Sequence, residues 1–600
     1  MRPLDISSLQ MAYRNGDTNP TAVVGEIVDR CGHLKEHNIW ISRLSWQQLL
    51  TYIDRLSELD PDNHPLWGIP FSIKDNIDLA GVDTTAACEA FRYQPQKSAV
   101  VVQRLIAAGA IPIGKTNLDQ FATGLVGSRS PWGAGKNAFN KTNISGGSSS
   151  GSALAVALGL SSFSLGSDTA GSGRVPAAFN NLVGLKPSCG LLPATGMVPA
   201  CRSLDCMSVF TLNTADANSV LSCVEGVDED DSYSRQNPFK NSGRNYGRWQ
   251  NPVVVGVLSP EDLEFFGDEA YANTYQQLLS SLSELGWQTV EIPFASFREA
   301  AQLLYEGPWV AERYLATLPL IDERPDALHE VTRNIISKGG EPKATQQFSA
   351  EYRLESLRKL AWRELEKCDC LMTPTAGRLF QIDEIESEPV KHNSQLGYYT
   401  NFMNLLDMSA VAVPAGFTST NLPFGITLSH RAFSDRKLLS LANNLQQHLQ
   451  LPMGAMNWPL PQDQSDVVID TDTIELVVCG AHMLNLPLNW QLKERGAQFM
   501  AAEKTASCYR LFALPGGSVR RPALFRDEDS GVAIDAEIWK IPTEEFGGFV
   551  AEIPAPLGIG KVMMADGIER SGFISEPWPL AEAEEITKFG GWRNWLALEK

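Results

Sequence analysis

The stretch Ile144–Ser172, ISGGSSSGSALAVALGLSSFSLGSDTAGS, restricts the fold more than any other part of the chain. Two clusters of glycine and serine bracket a small-residue segment, Ser152–Gly159, that reads as a helix, and an apolar one, Phe163–Leu165, that reads as a strand. A loop before the helix and a loop after the strand can therefore converge on one place. Small residues leave backbone N–H groups uncovered, and successive N–H groups form a nest able to hold a negative oxygen. Asp168-Thr169-Ala170-Gly171-Ser172, directly after the strand, has that form. A phosphate cradle of the Walker type needs Gly, four residues, then Gly-Lys-Ser/Thr, and that pattern is absent. Gly147-Ser148-Ser149-Ser150-Gly151 does match a nucleophile elbow and nominates Ser149, provided that a histidine base follows late in the chain.

The histidines give that elbow little support. They stand at 33, 37, 64, 329, 392, 430, 448 and 482, most among polar neighbours, and only His430 and His448 come late in the first domain. A serine hydroxyl still needs a base. Lysine qualifies only where burial or neighbouring cations hold it neutral. Lys74 ends the apolar run Trp67–Ile73 (WGIPFSI), so a strand carries it inward. Taken alone, it reads equally as a surface lysine at a strand end. Lys115, after the short strand Ala110–Ile113, is a rival of the same kind.

A chain of 600 residues exceeds one hydrophobic core, which predicts two or more domains. A formal charge of -20 argues against a nucleic-acid partner, because phosphate binding needs clustered cations. The amino terminus, MRPLDISSLQMAYRNG, lacks an apolar secretory core, and Ser152–Leu160 is too short to span a bilayer; a cytoplasmic protein is expected. Cysteines at 31, 88, 189, 201, 206, 223, 368, 370, 479 and 508 have no zinc-type spacing and read as free thiols. Up to about residue 450, helical segments such as Val100–Gly109 alternate with strands, which predicts an α/β domain with helices on both faces of a sheet. Asn457–Asp472, NWPLPQDQSDVVIDTD, has linker composition. We therefore expect a first domain at 1–460, a linker at 461–472 and a second domain at 473–600. Strand-like segments at Ile474–Gly480, Tyr509–Leu514, Val532–Trp539 and on either side of Asp566-Gly567 make the second domain α+β.

Trp67–Asp78 (WGIPFSIKDNID), Gly146–Ser152 (GGSSSGS) and Asp168–Pro176 (DTAGSGRVP), in that order, resemble the three signature blocks of the amidase signature family. The resemblance implies a mixed-sheet fold in which Lys74 is the base, Ser148 a bridging serine in a cis peptide and Ser172 the nucleophile. It also implies an oxyanion hole made by the N–H groups of Thr169, Ala170, Gly171 and Ser172, with no metal or organic cofactor. Ser150, and Ala170 with Gly173, depart from the commoner pattern and are similar to the allophanate hydrolase branch. So are Ser203–Cys206 (SLDC), Tyr305–Tyr314 (YEGPWVAERY) and the carboxy-terminal region, whose fold type resembles γ-glutamyl cyclotransferases.

The substrate of that branch, urea-1-carboxylate, needs a cation opposite its reacting amide. Arg313 offers a planar fork for a carboxylate, and a spacing of eight predicts Tyr305 on the same face of the same helix. By resemblance this pair anchors the substrate; otherwise Tyr305 packs and Arg313 pairs with Glu306 or Glu312. The resemblance further implies that His482, in VVCGAH, assists decarboxylation of N-carboxycarbamate, the product of deamidation, and that the protein is a homodimer. The chain lacks a Met-Lys-Met biotin-carrier motif, so a urea-carboxylating partner is expected on a separate protein. The rival functions are an amidase for malonamate or biuret, the amidase-like subunit of a transfer-RNA amidotransferase, against which the acidic balance counts, and an inactive scaffold, against which the three retained catalytic side chains count.

Overall fold

The apolar strands of the first part assemble into one mixed sheet of eleven. In chain order they are β1 (Trp40–Arg43), β2 (Pro70–Lys74), β3 (Ile111–Thr116), β4 (Phe163–Asp168), β5 (Val183–Lys186), β6 (Cys206–Thr211), β7 (Val253–Leu258), β8 (Trp287–Ile292), β9 (Cys370–Pro374), β10 (Met408–Phe417) and β11 (Pro423–Arg431). Their spatial order is β1-β3-β2-β4-β6-β5-β10-β11-β9-β7-β8. The sheet belongs to a computed structural model that describes residues 2–238, 241–247, 252–462, 473–517 and 519–598. Contacts divide the chain into two compact units, Met1–Asn237 with Tyr246–Val468, and Pro238–Asn245 with Ile469–Lys600. Most of the linker expected at 461–472 lies outside the described residues.

The centre of this sheet positions the Gly/Ser stretch. Strand β2 runs parallel to both β3 and β4, with Phe71 opposite Phe163 and Ile73 opposite Leu165. The Phe71 and Phe163 rings stack at 5.2 Å, worth about 0.5–1.5 kcal/mol beyond area burial. Parallel pairing puts the carboxyl ends of β2 and β4, hence Lys74 and Asp168, at one edge of the sheet, where ligands of open α/β sheets bind. The helix Ser150–Ala157 is buried along its whole length. Only a helix of small residues packs this closely: a side chain at Gly151 would stand 2.2 Å from the Ile39 carbonyl oxygen. The Ser152 hydroxyl donates to the Leu165 carbonyl at 2.9 Å. The strand read as Phe163–Leu165 continues to Asp168, so β4 delivers its last carboxylate directly into the loop.

The second unit is α+β. Its main sheet orders Gln498–Lys504, Asp535–Pro542, Thr473–Val478, Glu569–Ser575 and Leu557–Met563, and a smaller one holds Tyr509–Ala513, Pro522–Arg526 and Glu584–Glu585. The Asp566-Gly567 hairpin closes with Met563 opposite Glu569 and Gly567 at φ +79°. The strand expected from Val532 begins at Asp535, because Val532 makes an isolated bridge with Tyr509 instead. Among the described residues no helix is long and apolar enough to cross a membrane.

Candidate active site

Lys74 is the last residue of β2, fully buried, with its ammonium aimed at two hydroxyls: Ser148 Oγ at 2.7 Å and Ser167 Oγ at 2.8 Å. Burial pulls its pKa from the usual 10.5 down to about 7. The carboxylates of Asp119, Asp168 and Asp205 oppose that fall, and the Arg313 guanidinium adds to it. The neutral amine is therefore well populated near neutral pH. Ser148 follows a cis peptide from Gly147, and its carbonyl accepts from the Asp119 N–H at 3.0 Å. Ser149 lies buried with its hydroxyl donating to the Ser167 carbonyl, away from any base.

The loop after β4 wraps around the Asp168 carboxylate. Asp168 accepts from the N–H groups of Gly171 (2.8 Å) and Gly173 (2.9 Å) and from Arg174 Nε and Nη2, each at 2.9 Å. Burial alone would raise the pKa of this carboxyl, but Arg174 and the N–H donors outweigh it and hold the group below the ordinary carboxylate range. The geometry corrects one expectation. Gly171 was expected among four oxyanion donors, yet its N–H is committed to Asp168. The N–H groups of Thr169, Ala170 and Ser172 have no hydrogen-bond acceptor among the described residues. Gly171 has φ +137°, and a Cβ there would meet the Thr400 hydroxyl at 2.4 Å, so the turn requires glycine. The Thr169 hydroxyl donates to Asp205 Oδ1, and Asp205 also accepts from the Ala200 N–H at 2.7 Å.

Arg313 is 2 % exposed. Its Nη1 donates to the Ala122 carbonyl at 3.3 Å and to Thr123 Oγ1 at 3.1 Å. Among the described residues no carboxylate lies within ion-pairing distance of it; Glu312 is turned to Ser203 and Glu306 is exposed. The guanidinium lies over the Tyr305 ring, 5.5 Å from its centroid. These two residues do not share a helix as their spacing predicts. Tyr305 is the penultimate residue of the helix Ala295–Glu306 and Arg313 lies in Val310–Thr317, the break falling at Gly307-Pro308. Pro308 lacks the N–H needed to continue the first helix and disfavours helical geometry at Gly307. The kink, not helical periodicity, brings the pair together.

The rival base, Lys115, is taken up in a fully buried ion pair with Asp75 at 3.0 Å. His430 is more buried than its polar neighbours suggest: its ring bonds to the Leu365 carbonyl, and burial lowers its pKa to about 4. His448 faces Glu284 at 3.5 Å. Neither meets a serine of the Lys74 cluster. Ser167, Asp205, Arg174 and Asn404, which donates to the Asp168 carbonyl at 2.8 Å, were not identified from sequence as site residues. Arg174 lay within the quoted DTAGSGRVP block and Asp205 within SLDC, but block membership carried no role.

In the second unit His482 follows the strand Thr473–Val478. Its Nε2 is 2.8 Å from Gln491 Oε1; an amide oxygen only accepts, so Nε2 carries the hydrogen and Nδ1 is the basic nitrogen. The ring stacks on Phe573 at 4.9 Å, and burial lowers its pKa, with Gln491 opposing. It lines a cavity of about 340 Å³ together with Arg521, Glu552 and Phe549.

Comparison with known proteins agrees with both units. The Amidase family model matches residues 22–439, and the model of the allophanate hydrolase C-terminal domain matches residues 474–597. Urea amidolyase of Saccharomyces cerevisiae is 42% identical over 584 residues, which cover 94% of this chain and 31% of that protein, so the chain spans about a third of that relative's length. The A subunit of glutamyl-tRNA(Gln) amidotransferase from Prochlorococcus marinus is 32% identical over 64% of this chain and 84% of its own length. Among solved structures, Kluyveromyces lactis allophanate hydrolase superposes with a TM-score of 0.74 at 37% identity, covering 99% of both chains. With its Gly/Ser loops, buried lysine and mixed sheet so matched, the chain belongs to the amidase family, carrying an allophanate hydrolase C-terminal domain behind the amidase fold.

Proposed function

We propose that the protein is an amidohydrolase acting on linear amides, and that its substrate is allophanate, urea-1-carboxylate. The observation that carries this reading is Arg313: a buried guanidinium without a carboxylate partner, close enough to Lys74 to depress its pKa. Asp205 and Glu312 favour its charge from a distance, yet the guanidinium makes no ion pair among the described residues, and a buried cation without one offers a site for an anionic ligand. The Kluyveromyces lactis relative named for the same activity, matched over nearly its full length, supports it.

In this mechanism Ser172 Oγ attacks the terminal carbamoyl carbon while its proton passes through Ser148 Oγ to neutral Lys74 Nζ. The N–H groups of Thr169, Ala170 and Ser172 stabilise the oxyanion, a contribution typically worth about 3 kcal/mol per donor. The relay then protonates the departing ammonia. Water enters by the same relay and releases N-carboxycarbamate from Ser172. Arg313 and Tyr305 hold the substrate carboxylate throughout. Allophanate would reach the site from a urea-carboxylating activity, and we propose a homodimer as the working form. Ammonia release from freshly made allophanate, set beside uncharged urea and biuret and the carboxylate malonamate, tests the reading; equal rates on urea and biuret would remove it.

Two expected results follow from the titrating groups. Lys74 accepts a proton only when neutral, and its pKa is lowered to about 7, so kcat/KM should rise as pH increases through about 7 and level off above it. A profile that falls across this window would be incompatible with Lys74 as base. We further propose that His482, in its cavity beside Arg521, takes a proton from water on Nδ1 and passes it to the nitrogen of N-carboxycarbamate as carbon dioxide leaves. His482→Ala should then release the first ammonia at the parent rate while carbon dioxide lags. Stopped-flow measurement of both products decides it, because unchanged coupling leaves the second domain structural.

A further inference from the structure

Sequence similarity singles out Ser203-Leu204-Asp205-Cys206, and the mechanism leaves this segment without a task. Its place is unusual. At one end, the Ser203 N–H donates to Glu312 Oε2 at 2.8 Å and the Ser203 hydroxyl donates to Glu312 Oε1. Glu312 precedes Arg313 on the short helix Val310–Thr317, so the bidentate grip fixes the helix that carries the anchor. The same helix start is held again, by the Cys201 thiol on the Trp309 carbonyl at 3.7 Å. At the other end, buried Asp205 accepts the Thr169 hydroxyl and the N–H groups of Ala200 and Cys201, the latter at 3.1 Å. Thr169 is the first residue of the oxyanion loop. Asn404 ties the two parts once more, donating to the Leu204 and Asp168 carbonyls at 3.0 and 2.8 Å.

We propose that Glu312, Ser203 and Asp205 are positioning residues that couple seating of the substrate carboxylate at Arg313 to the geometry of the oxyanion loop at Thr169. The inference rests on the reading of Arg313 as the carboxylate anchor. Every link is a direct hydrogen bond or a single turn of backbone, and the one long side chain among them, Glu312, is held at both carboxylate oxygens by Ser203. A displacement of the anchor helix therefore reaches Thr169. An oxyanion donor misplaced by less than 1 Å loses much of its effect on the transition state while ground-state binding survives, so the coupling acts on kcat rather than on KM. It makes the carboxylate a specificity element in the chemical step: an amide without one leaves the anchor unfilled and the loop less well held.

The test compares kcat and KM on allophanate and on uncharged biuret for the parent, Glu312→Gln, Ser203→Ala, Ser203→Thr and Thr169→Val, with Glu312→Gln also combined with Thr169→Val. Glu312→Gln and Ser203→Ala should each lower the ratio of kcat on allophanate to kcat on biuret by about tenfold, with KM for allophanate moving less than about threefold. Ser203→Thr, which keeps both donors, should restore the ratio. The double variant should lose no more than Thr169→Val alone, the non-additivity expected of residues in one network. A loss confined to KM, an equal fall in kcat on both amides, or additive losses in the double variant would each overturn the coupling. A parent enzyme with no preference for allophanate would overturn the anchor and the coupling with it. A parent that prefers allophanate, with variants that keep its ratio, would overturn the coupling alone.

Discussion

Ser172→Ala is expected to abolish ammonia release from allophanate, with kcat falling on the order of 10⁶-fold as for removal of other serine nucleophiles. In the proposed mechanism the Ser172 hydroxyl is the attacking atom, while Ser148 passes the proton to Lys74 and Ser149 is held by the Ser167 carbonyl. Ser149→Ala supplies the contrast. It removes one neutral hydrogen bond, costing about 1 kcal/mol of stability, and should leave a folded enzyme with most of its activity. A serine-directed covalent reagent, followed by peptide mapping, should label Ser172. Labelling at Ser149 would reinstate the elbow and remove the lysine relay.

Arg313→Lys and Arg313→Gln should have the next largest effect. Lysine keeps the charge but loses the two-pronged geometry, and glutamine loses both. A charge-assisted hydrogen bond contributes about 1.5–3 kcal/mol, so kcat/KM on allophanate should fall on the order of 100-fold for lysine and further for glutamine. The same substitution removes a cation that lowers the Lys74 pKa, so the pH limb of activity should move upward in Arg313→Gln. Discrimination against uncharged biuret should shrink at the same time, whereas malonamate, which carries a carboxylate of its own, should lose together with allophanate. Arg313→Gln with parent-like kinetics on allophanate and undiminished rejection of neutral amides would rule out the anchor. Thermal unfolding of both variants guards against misreading a folding defect, since the side chain is buried.

Much of the site was legible because its ingredients are local. The apolar run ending at Lys74 reads as a strand by its own pattern, and the small residues of Ser150–Ala157 read as a helix that packs closely. Three ordered blocks single out Lys74 with Ser148 and Ser172, and the fold brings the first two within hydrogen-bond distance. The errors share one cause. Tyr305 and Arg313 were put on one helix because an eight-residue spacing suits one, although Gly307-Pro308 between them breaks it. The family resemblance places Gly171 among the oxyanion donors, although its N–H turns to Asp168. The polar neighbours of His430 in sequence suggest exposure, whereas its ring is buried and bonded to the Leu365 carbonyl at the end of a distant helix.

By itself the sequence determined the elements and the reagents: a strand that ends in lysine, two Gly/Ser loops around a helix and strand, and an arginine next to a glutamate. Periodicity, chain stiffness and side-chain chemistry are properties of a few consecutive residues and need no partner. Only the tertiary structure decided how these reagents behave. Lys74 approaches neutrality because packing strips it of water against the pull of Asp119, Asp168 and Asp205. Lys115, on the neighbouring strand, is paired with Asp75 instead. Arg313 makes no ion pair among the described residues, and the Glu312 carboxylate beside it in sequence is held by Ser203. Desolvation and Coulomb forces act through space, so their outcome depends on which distant segments fold against each group.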